Sequence, residues 1–421
     1  MRPLQVYLDS SDFSTLSNPQ ALAANPQLPV IRDSLLAFAE AGQVQYRFSG
    51  IHVVEITHTT ADARAHALRR AEMIERLCGR NAMRHVYNLF VLDGAYVCAS
   101  KRREGAPTCF PDYAFSNDGE WFPHLGNLGR DLETAMQRDI LTVLKEKRVS
   151  RHDRRVWNRK LFRNGRPTLE FRELAAANVQ EFDDGLEASL PLTERFYREQ
   201  YGRKLACGEI TAEEFAAEAI RGVCDVRNFV GWYIDRLEKG REIVGIFRNI
   251  GEDLYRAMQG VRQQLEDFRD RFGGYYMDEK ERRAQIAKFL RGQQIHFRRR
   301  MLQVALHGDE ALLGAWRVSR EVWKKTVLDD DSLELPSVGI LLDVYTEYAK
   351  RVVSLSGKVD TSDWPDIMHA VYVPYVDVFR ADTRTAEFIK PIAQKRGYRV
   401  VRLLEDLPGE IRNALGERRE R

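Results

Sequence analysis

Four acidic residues that are far apart in the chain each stand near a short apolar segment. Asp9 and Asp382 directly follow runs that are rich in strand-forming residues. Glu55 lies in the first two turns of a helix after another such run, and Asp366 lies in the first turn of a helix before the run that leads to Asp382. In open parallel sheets, ligands bind beyond the carboxyl ends of the strands. We therefore expect the four carboxylates to meet at one edge of one sheet.

Four carboxylates in one place would repel one another, so a divalent cation is their natural counter-charge. Mg²⁺, or Mn²⁺ in its place, binds a few carboxylates and keeps several waters, which leaves room for a phosphate oxygen and an attacking hydroxide. The set therefore predicts metal-dependent hydrolysis of a phosphate ester. The chain has no G-x-S-x-G, G-x-x-x-x-G-K-[ST] or H-E-x-x-H motif, so P-loop nucleotide hydrolysis and zinc-peptidase chemistry are not indicated.

The strands that must position these acids alternate with helices. Strand-like runs occupy residues 5–8, 44–48, 376–380 and 399–403, and helical periodicity covers residues 61–77, 338–353 and 385–395. Alternating strands and helices are joined by right-handed crossovers, which makes the sheet parallel. The two ends of the chain therefore predict an α/β domain with a central parallel sheet.

The middle of the chain has a different pattern. Residues 97–129 contain three prolines and several glycines, and helical signals dominate from there to the C-terminal α/β segment. A stripe of nine apolar residues at steps of three and four runs from Ile243 to Phe272, and packing within the same chain explains it more simply than a partner protein. We predict a discontinuous domain, residues 1–95 and 325–421, interrupted by a mostly helical insertion, residues 96–324. Any homo-oligomer or regulatory partner is expected to bind through this insertion.

Four segments of the sequence resemble the acidic blocks of PIN-like nucleases, and they occur in the same order. They are V-Y-L-D-S-S-D-F-S at residues 6–14, S-G-I-H-V-V-E at 49–55, P-D-I-M-H-A at 365–370 and P-Y-V-D-V-F-R-A-D-T-R-T at 374–385. The last block is the most specific of the four. The resemblance covers the two ends of the chain only, and the large insertion departs from it.

The resemblance implies a PIN-like three-layer α/β fold around a central parallel sheet. It also implies that Asp9, Glu55, Asp366 and Asp382 are the catalytic and metal-binding acids of a hydrolase that cuts phosphodiester bonds, usually in RNA. The expected cofactor is Mg²⁺ or Mn²⁺.

Each acid also has an ordinary structural interpretation. Asp9 suits the end of a strand or a helix cap, a helical Glu55 is often only solvated, and Asp366 would complement the dipole of its own helix. Asp377 is excluded from the set, because it lies five residues before Asp382 on an extended strand, roughly 16 Å from that end at ~3.3 Å per residue.

Three neighbouring polar residues leave alternatives open. His369 follows Asp366 by about one helical turn, so it either contacts substrate phosphate or is an ordinary packed or surface histidine. Ser11 and Asp12 could bind a second metal ion, but capping of the first helix is favoured for both.

A basic stretch lies inside the predicted insertion. Between Lys145 and Arg166 the chain has ten lysines and arginines and only two acids. Arg155, Arg159 and Arg163 recur at four-residue spacing, which predicts one helix face that contacts nucleic-acid phosphates. Two aromatic residues, Trp157 and Phe162, lie among them, and Arg298–Arg300 form a second basic candidate. The alternative is that these arginines form structural ion pairs within the insertion.

The composition limits the class of protein to which the chain can belong. The 421 residues are 44% hydrophobic and 30% charged with a net charge of +3, which is typical of a globular protein. No signal peptide or membrane span is expected, and five scattered cysteines without a C-x-x-C pair indicate a reduced, cytoplasmic protein.

The sequence therefore favours a metal-dependent nuclease that acts on RNA rather than DNA. Two rivals remain open, namely a structure-specific DNA nuclease and a nucleic-acid-binding or scaffold protein that kept the fold without cutting. The biological role, such as a toxin, a defence effector or a processing enzyme, is not indicated.

Overall fold

The chain divides into two compact units in a computed structural model. One unit comprises Met1–His124 and Arg236–Arg421, and the other comprises Leu125–Asp235. The structure describes residues 2–57, 63–102, 112–122, 141, 144–145, 147–163, 166–177, 191–237, 263, 267, 270–271, 279–306, 310–354 and 363–420.

A four-stranded parallel sheet forms the centre of the first unit. Its strands are β1 (Leu4–Tyr7), β2 (Val44–Arg47), β3 (Val378–Arg380) and β4 (Val400–Val401), in the order β2-β1-β3-β4. All four residues of β1 are buried, as expected for a parallel sheet that is covered on both faces. The predicted parallel α/β sheet is confirmed, although β3 and β4 are shorter than the predicted runs.

The strand register decides which residues meet at the carboxyl edge. Tyr7 lies opposite Arg47 of β2 and Phe379 of β3, so the chain leaves all three strands at the same level. Since the strands are parallel, the residues that follow β1 and β3 emerge side by side. This places Asp9 next to Asp382.

Helices occupy most of the remaining described residues of this unit. Its N-terminal part contains α1 (Ser10–Ser17), α2 (Pro19–Ala24), α3 (Gln27–Glu40), α4 (Gly50–Thr57), α5 (Arg64–Cys78) and α6 (Val86–Arg102). A short antiparallel pair joins Ala82–Met83 to Phe115–Ser116, and a 3₁₀ helix covers Asp112–Ala114.

The second unit is helical among its described residues, apart from one short strand pair. Its helices are α7 (Arg151–Leu161), α8 (Leu169–Ala177), α9 (Glu194–Arg198), α10 (Tyr201–Cys207), α11 (Ala212–Cys224) and α12 (Val226–Leu237). Phe162–Arg163 pairs with Arg166–Pro167. Phe196 and Phe215 pack at 5.3 Å between ring centroids inside one small core, and Leu161, Phe162 and Phe171 form another.

The C-terminal part of the first unit returns the chain to the sheet. It contains α13 (Glu279–Ala305), α14 (Glu310–Ala315), α15 (Arg320–Trp323), α16 (Pro336–Ser354), α17 (Asp363–His369), α18 (Thr383–Lys395) and α19 (Leu407–Glu420). A π helix covers Lys324–Leu328, and 3₁₀ helices cover Ala370–Tyr375 and Leu404–Asp406.

The unit boundaries differ from the predicted ones. Residues 96–124 and 236–324, which the sequence assigned to the insertion, fall in the unit that holds the sheet. The reason is that α6 continues through residue 95, and its Phe90 shares one core with Leu302 of α13 and Leu341 of α16. The first boundary between the units follows His124, so it falls within the proline- and glycine-rich residues 97–129 and later than predicted.

Trp323 shows how closely the central helices pack. Its ring is fully buried, and its Nε1 donates a 3.0 Å hydrogen bond to the carbonyl oxygen of Val91 in α6. A Cβ at Gly94, one turn later, would collide with the indole ring. Gly94 is therefore required for the close approach of α15 to α6.

No described helix is both long enough and apolar enough to cross a membrane. The apolar stripe between residues 243 and 272 lies outside the described residues.

Candidate active site

Asp9 caps the helix that leaves the sheet after β1. Its Oδ1 accepts a 2.8 Å hydrogen bond from the backbone N–H of Ser11, and Asp12 Oδ2 accepts a 3.0 Å bond from the backbone N–H of Asp9. This is a capping box, so Asp12 has the structural role favoured from the sequence, whereas Ser11 contributes only its backbone N–H. Capping holds the Asp9 carboxylate at the sheet edge with 5% of the residue exposed.

Asp382 has the equivalent position after β3. Its Oδ1 accepts hydrogen bonds of 2.6 and 2.8 Å from the backbone N–H groups of Arg384 and Thr385, and its Oδ2 accepts one of 2.9 Å from the Thr385 hydroxyl. The backbone N–H of Asp382 itself donates to Asp9 Oδ2 at 3.3 Å. The two predicted site residues are therefore in direct contact, as the parallel register requires.

Glu55 reaches the same edge from α4. Its Oε2 accepts hydrogen bonds from the Ser10 hydroxyl, next to Asp9, and from His369 Nε2 at 3.3 Å. Within the described residues, its Oε1 accepts no hydrogen bond. Burial alone would raise the pKa of Glu55, but His369 and Ser10 outweigh burial and hold this pKa below its ordinary value.

His369 is packed inside the protein, which answers the question left open by the sequence. It is 2% exposed, and its Nδ1 lies 2.6 Å from the buried hydroxyl of Tyr7 on β1. Burial lowers the pKa of His369, but the charges of Glu55, Asp9 and Asp366 raise it further than burial lowers it. His369 therefore positions Glu55, and its raised pKa favours the charged form beside the acids.

His52 belongs to the same network but remains neutral. Its Nδ1 accepts a 3.0 Å bond from the backbone N–H of Ser49, so its Nε2 carries the proton and donates to the Leu8 carbonyl at 2.9 Å. Burial and the nearby His369 lower the pKa of His52 to about 3. The Tyr7 hydroxyl connects the two histidines, because it contacts His369 and, at 2.7 Å, the Ser49 hydroxyl, and Ser49 in turn contacts His52.

Asp366 differs from the other three acids because its carboxylate has no hydrogen-bond partner among the described residues. It projects from α17, and it is only partly buried. Burial raises the pKa of Asp366 to about 8, and the charges of Glu55, Asp382 and Asp9 contribute to the increase while His369 opposes it. All four predicted acids therefore lie close enough to act on one carboxyl group.

The donor set fits a hard divalent cation. The oxygens that remain free of hydrogen bonds within the described residues are those of Asp366 and Oε1 of Glu55, and both belong to carboxylates that Mg²⁺ and Mn²⁺ accept. In the described part of the chain, no three acidic, histidine or cysteine side chains lie close enough together to hold one metal ion. Binding would therefore require side-chain rotation, which an unpaired Asp366 can undergo without breaking a hydrogen bond to a described group.

Arg380 is a site-adjacent residue that the sequence reasoning missed. It is buried at the end of β3, and its Nη2 lies 2.9 Å from Asp12 Oδ1. Burial raises the pKa of Asp12 to about 7 even though Arg380 opposes the increase. The signal for it is its position at the end of a strand-like run, directly before the A-D-T-R-T segment.

Other sequence candidates lie away from this edge. Asp377 accepts a 2.7 Å bond from the backbone N–H of Gln5 and pairs with Arg418, which places it at the other end of β3. Arg298 is buried, donates to the Val327 carbonyl at 3.0 Å and lies beside Asp331, which Arg299 also pairs with. The second basic candidate is therefore mainly structural.

The basic stretch of the second unit differs from its prediction in one respect. Arg155 and Arg159 lie on α7 and are exposed, but the helix ends at Leu161, and Arg163 lies in a strand. The helix ends there because Phe162 turns into a small core against Phe171. The expectation that Arg163 shares a helix face with Arg155 and Arg159 is wrong.

The aromatic residues of this stretch also separate into two roles. Trp157 is 41% exposed, with the Lys160 ammonium 5.5 Å from its ring centroid, whereas Phe162 is 5% exposed. Only Trp157 is therefore open to a ligand. Among the described residues, Lys160 pairs with Glu170 at 3.6 Å, and no described acid pairs with Arg155 or Arg159.

Comparison with known proteins returned no match: no protein-family model matches the chain, and no curated protein or solved structure resembles it significantly. The resemblance to PIN-like nucleases therefore stays a prediction.

Proposed function

We propose that this protein is a metal-dependent nuclease with a PIN-like fold, and that it hydrolyses phosphodiester bonds in RNA. The observation that carries the proposal is the convergence of Asp9, Glu55, Asp366 and Asp382. They come from the first two turns or the N-caps of four separate helices and act on one another at the carboxyl edge of one parallel sheet.

The excess of negative charge supports a cationic cofactor. Folding normally pairs buried charges or neutralises them, because an unpaired buried charge is costly. Here His369 compensates Glu55, yet Asp366 remains without a partner among the described residues, and its pKa rises to about 8. A divalent ion would reverse this shift and stabilise the ionised acids.

The residues of the site would have distinct roles in metal binding and hydrolysis. When bound, Mg²⁺ or Mn²⁺ supplies an activated water nucleophile and stabilises charge on the phosphate oxygens. Asp366 and Asp9 would hold the ion, with Glu55 presenting Oε1 because His369 and Ser10 fix its Oε2. Asp382 orients the first turn of α18 through its capping bonds and keeps its backbone N–H against Asp9.

The second unit would supply a surface for nucleic acid. Arg155 and Arg159 are exposed one turn apart, and Trp157 offers an aromatic face on the same helix. Guanidinium groups match phosphates, and an exposed ring can stack on an unpaired base. This composition favours a single strand as the ligand.

Cleavage assays test the proposal directly. Labelled single-stranded RNA, the same sequence as DNA, and a flapped DNA duplex are incubated with the full chain and Mn²⁺ or Mg²⁺, or with EDTA. We expect metal-dependent cleavage of RNA. Cleavage of the flapped DNA alone would instead support the structure-specific DNA nuclease, and binding without any cleavage would support the scaffold alternative.

Substitutions connect any activity to the site. Asp9→Asn and Asp382→Asn keep a side-chain oxygen for capping but remove the charge, so we expect the fold to persist and cleavage to fall by about 10³-fold or more. Asp377→Asn is the matched control, because this acid lies on the same sheet away from the edge. Variants that cut as fast as the parent would remove the site assignment.

A further inference from the structure

A helix face with two arginines and one histidine lies near the acid cluster and has no role in the account so far. It belongs to α5 and consists of His66, Arg69 and Arg70, all partly buried. His66 Nε2 lies 3.1 Å from the hydroxyl of Ser14, and Ser14 follows Ser10 by one turn of α1. Because Ser10 bonds Glu55, this face is connected to the acid cluster through one turn of α1.

Arg70 lies one turn after His66 on the same face of α5, and α5 packs against both α1 and α4. Those two helices carry Ser10 and Glu55, so this face lies toward the acid cluster. The electrostatics agree with this placement, since burial lowers the pKa of Arg70 and the charges of Glu55 and Asp9 act in the opposite direction.

Although it lies near two carboxylates, Arg70 pairs with neither. Within the described residues it forms no salt bridge, and its Nε is buried without a hydrogen-bond partner. An arginine that only balanced the acids would be expected to bond one of them directly, because a forked arginine–carboxylate pair is the stronger arrangement. The guanidinium instead retains its donors close to a site that is expected to bind a metal ion.

We propose that Arg70 binds a phosphate group of the nucleic-acid substrate beside the acid cluster, and that α5 is therefore one wall of the substrate path. The inference rests on the proposed nuclease function, because the cluster supplies the reason for a phosphate to be there. The forked donors of an arginine match two phosphate oxygens, so one anion can be shared between Arg70 and a metal ion held by the acids.

The choice of ligand follows from the charges. A carboxylate and a phosphate diester each carry one negative charge, so Glu55 and Asp9 repel either ligand unless a metal ion is bound. The diester is favoured because it is followed by further phosphates along the strand, which Arg69 can meet. Contacts of this kind do not distinguish RNA from DNA, since neither the base nor the 2′-hydroxyl is involved.

The experiment measures binding separately from cleavage. A fluorescein-labelled single-stranded RNA and a DNA of the same sequence are titrated with the full-length protein in Ca²⁺, and fluorescence anisotropy gives Kd at several salt concentrations. Arg70→Gln removes the charge, Arg70→Lys keeps the charge without the fork, and Arg76→Gln is the control, because Arg76 is exposed on the same helix six residues later. Melting curves report the folding of each variant.

We expect Arg70→Gln to weaken binding about tenfold for both RNA and DNA. It should also flatten the dependence of log Kd on log salt by about 0.7, the value for one lost phosphate contact on a single strand. Arg70→Lys should retain the salt slope and lose only part of the affinity, which keeps the test informative if Arg70→Gln is poorly folded. Arg76→Gln should match the parent.

Two results overturn the inference. One is an unchanged Kd for Arg70→Gln, and the other is a lowered melting temperature with an unchanged salt slope, which would make Arg70 a structural counter-charge. The failure of the proposed function is recognised separately. If the parent cleaves nothing but its binding still depends on Arg70, the nuclease proposal fails and the phosphate contact stands.

Discussion

One buried acid and the four acids at the sheet edge, all in the same unit, have opposite surroundings. Asp93 on α6 is fully buried and accepts hydrogen bonds from the hydroxyls of Tyr113 at 2.7 Å and Tyr375, and from the backbone N–H of Ser337 at 2.9 Å and its hydroxyl. At the sheet edge, Asp9, Glu55 and Asp382 also accept hydrogen bonds, but Asp366 accepts none from the described residues. The first arrangement is complete as it stands, and the second is completed only by a ligand.

The different surroundings indicate different roles, since Asp93 stabilises the fold and Asp366 is available to bind a ligand. A buried carboxylate with four donors joins α6, the Asp112–Ala114 turn, the start of α16 and the Ala370–Tyr375 helix, and its removal should affect folding. A carboxylate that folding leaves without a partner reduces stability, and it is retained for what it binds. Opposite effects of substitution at Asp93 and Asp366 are therefore expected.

The largest expected effect is the decrease in the free energy of unfolding when Asp93 is replaced. Asp93→Ala leaves the Tyr113, Tyr375 and Ser337 donors without their acceptor in the core, so the free energy of unfolding should fall by about 3–5 kcal/mol. Tyr113→Phe removes a single donor and should cost about 1 kcal/mol. Urea unfolding of the three proteins gives the values. An Asp93→Ala variant as stable as the parent would remove the distinction between the two sites.

The next effect is the pH dependence of the metal-free protein. Asp366 has a pKa of about 8 when folded and an ordinary value of 3.8, so between these pH values the folded protein retains a proton that the unfolded chain has released. Raising the pH through this window should therefore lower stability, by up to about 1.4 kcal/mol per pH unit for this group.

Asp366→Asn isolates this contribution. In EDTA the variant should lose stability less steeply than the parent as the pH rises from 5 to about 8, and at the upper end it should be the more stable protein. Adding Mn²⁺ should stabilise the parent and leave the variant nearly unchanged, because binding to the folded state alone raises stability. Parallel pH profiles in EDTA would show that Asp366 carries no excess charge.

The smallest effect concerns the exposed charges of the second unit. Arg155→Ala with Arg159→Ala should weaken binding of single-stranded RNA and flatten its salt dependence by about 0.7 for each contact. Arg163→Ala serves as the comparison, since Arg163 lies beyond the end of α7 and not on its exposed face. A lower melting temperature with an unchanged salt slope would mean that these arginines stabilise the unit and bind no substrate.

The sequence predicted the sheet and the meeting of the four acids because both depend on local signals. A short apolar run followed by Asp predicts a strand end with a capped helix, and parallel pairing then brings such ends together without further information. The same logic separated Asp377 from the set, and this residue contacts Gln5 and Arg418 at the other end of β3.

The parts that the sequence did not predict depend on contacts between distant residues. Nothing local shows that Tyr7 bonds His369, or that Arg70 approaches Asp9 from another helix. The unit boundary was misplaced for the same reason, since the contact of Gly94 with Trp323 joins segments more than two hundred residues apart. The end of α7 at Leu161 was missed because arginines at helical spacing outweighed the apolar Phe162 in the prediction.

Anomalous diffraction from crystals soaked in Mn²⁺ tests the central claim most directly. The account predicts a manganese peak at the carboxyl edge of the sheet, with oxygens of Asp366 and at least one of Asp9, Glu55 and Asp382 within about 2.0–2.6 Å of the ion. The peak should be absent in crystals of Asp366→Asn. Density at this edge that is unchanged in the variant, or manganese bound elsewhere while the four acids remain empty, would contradict it.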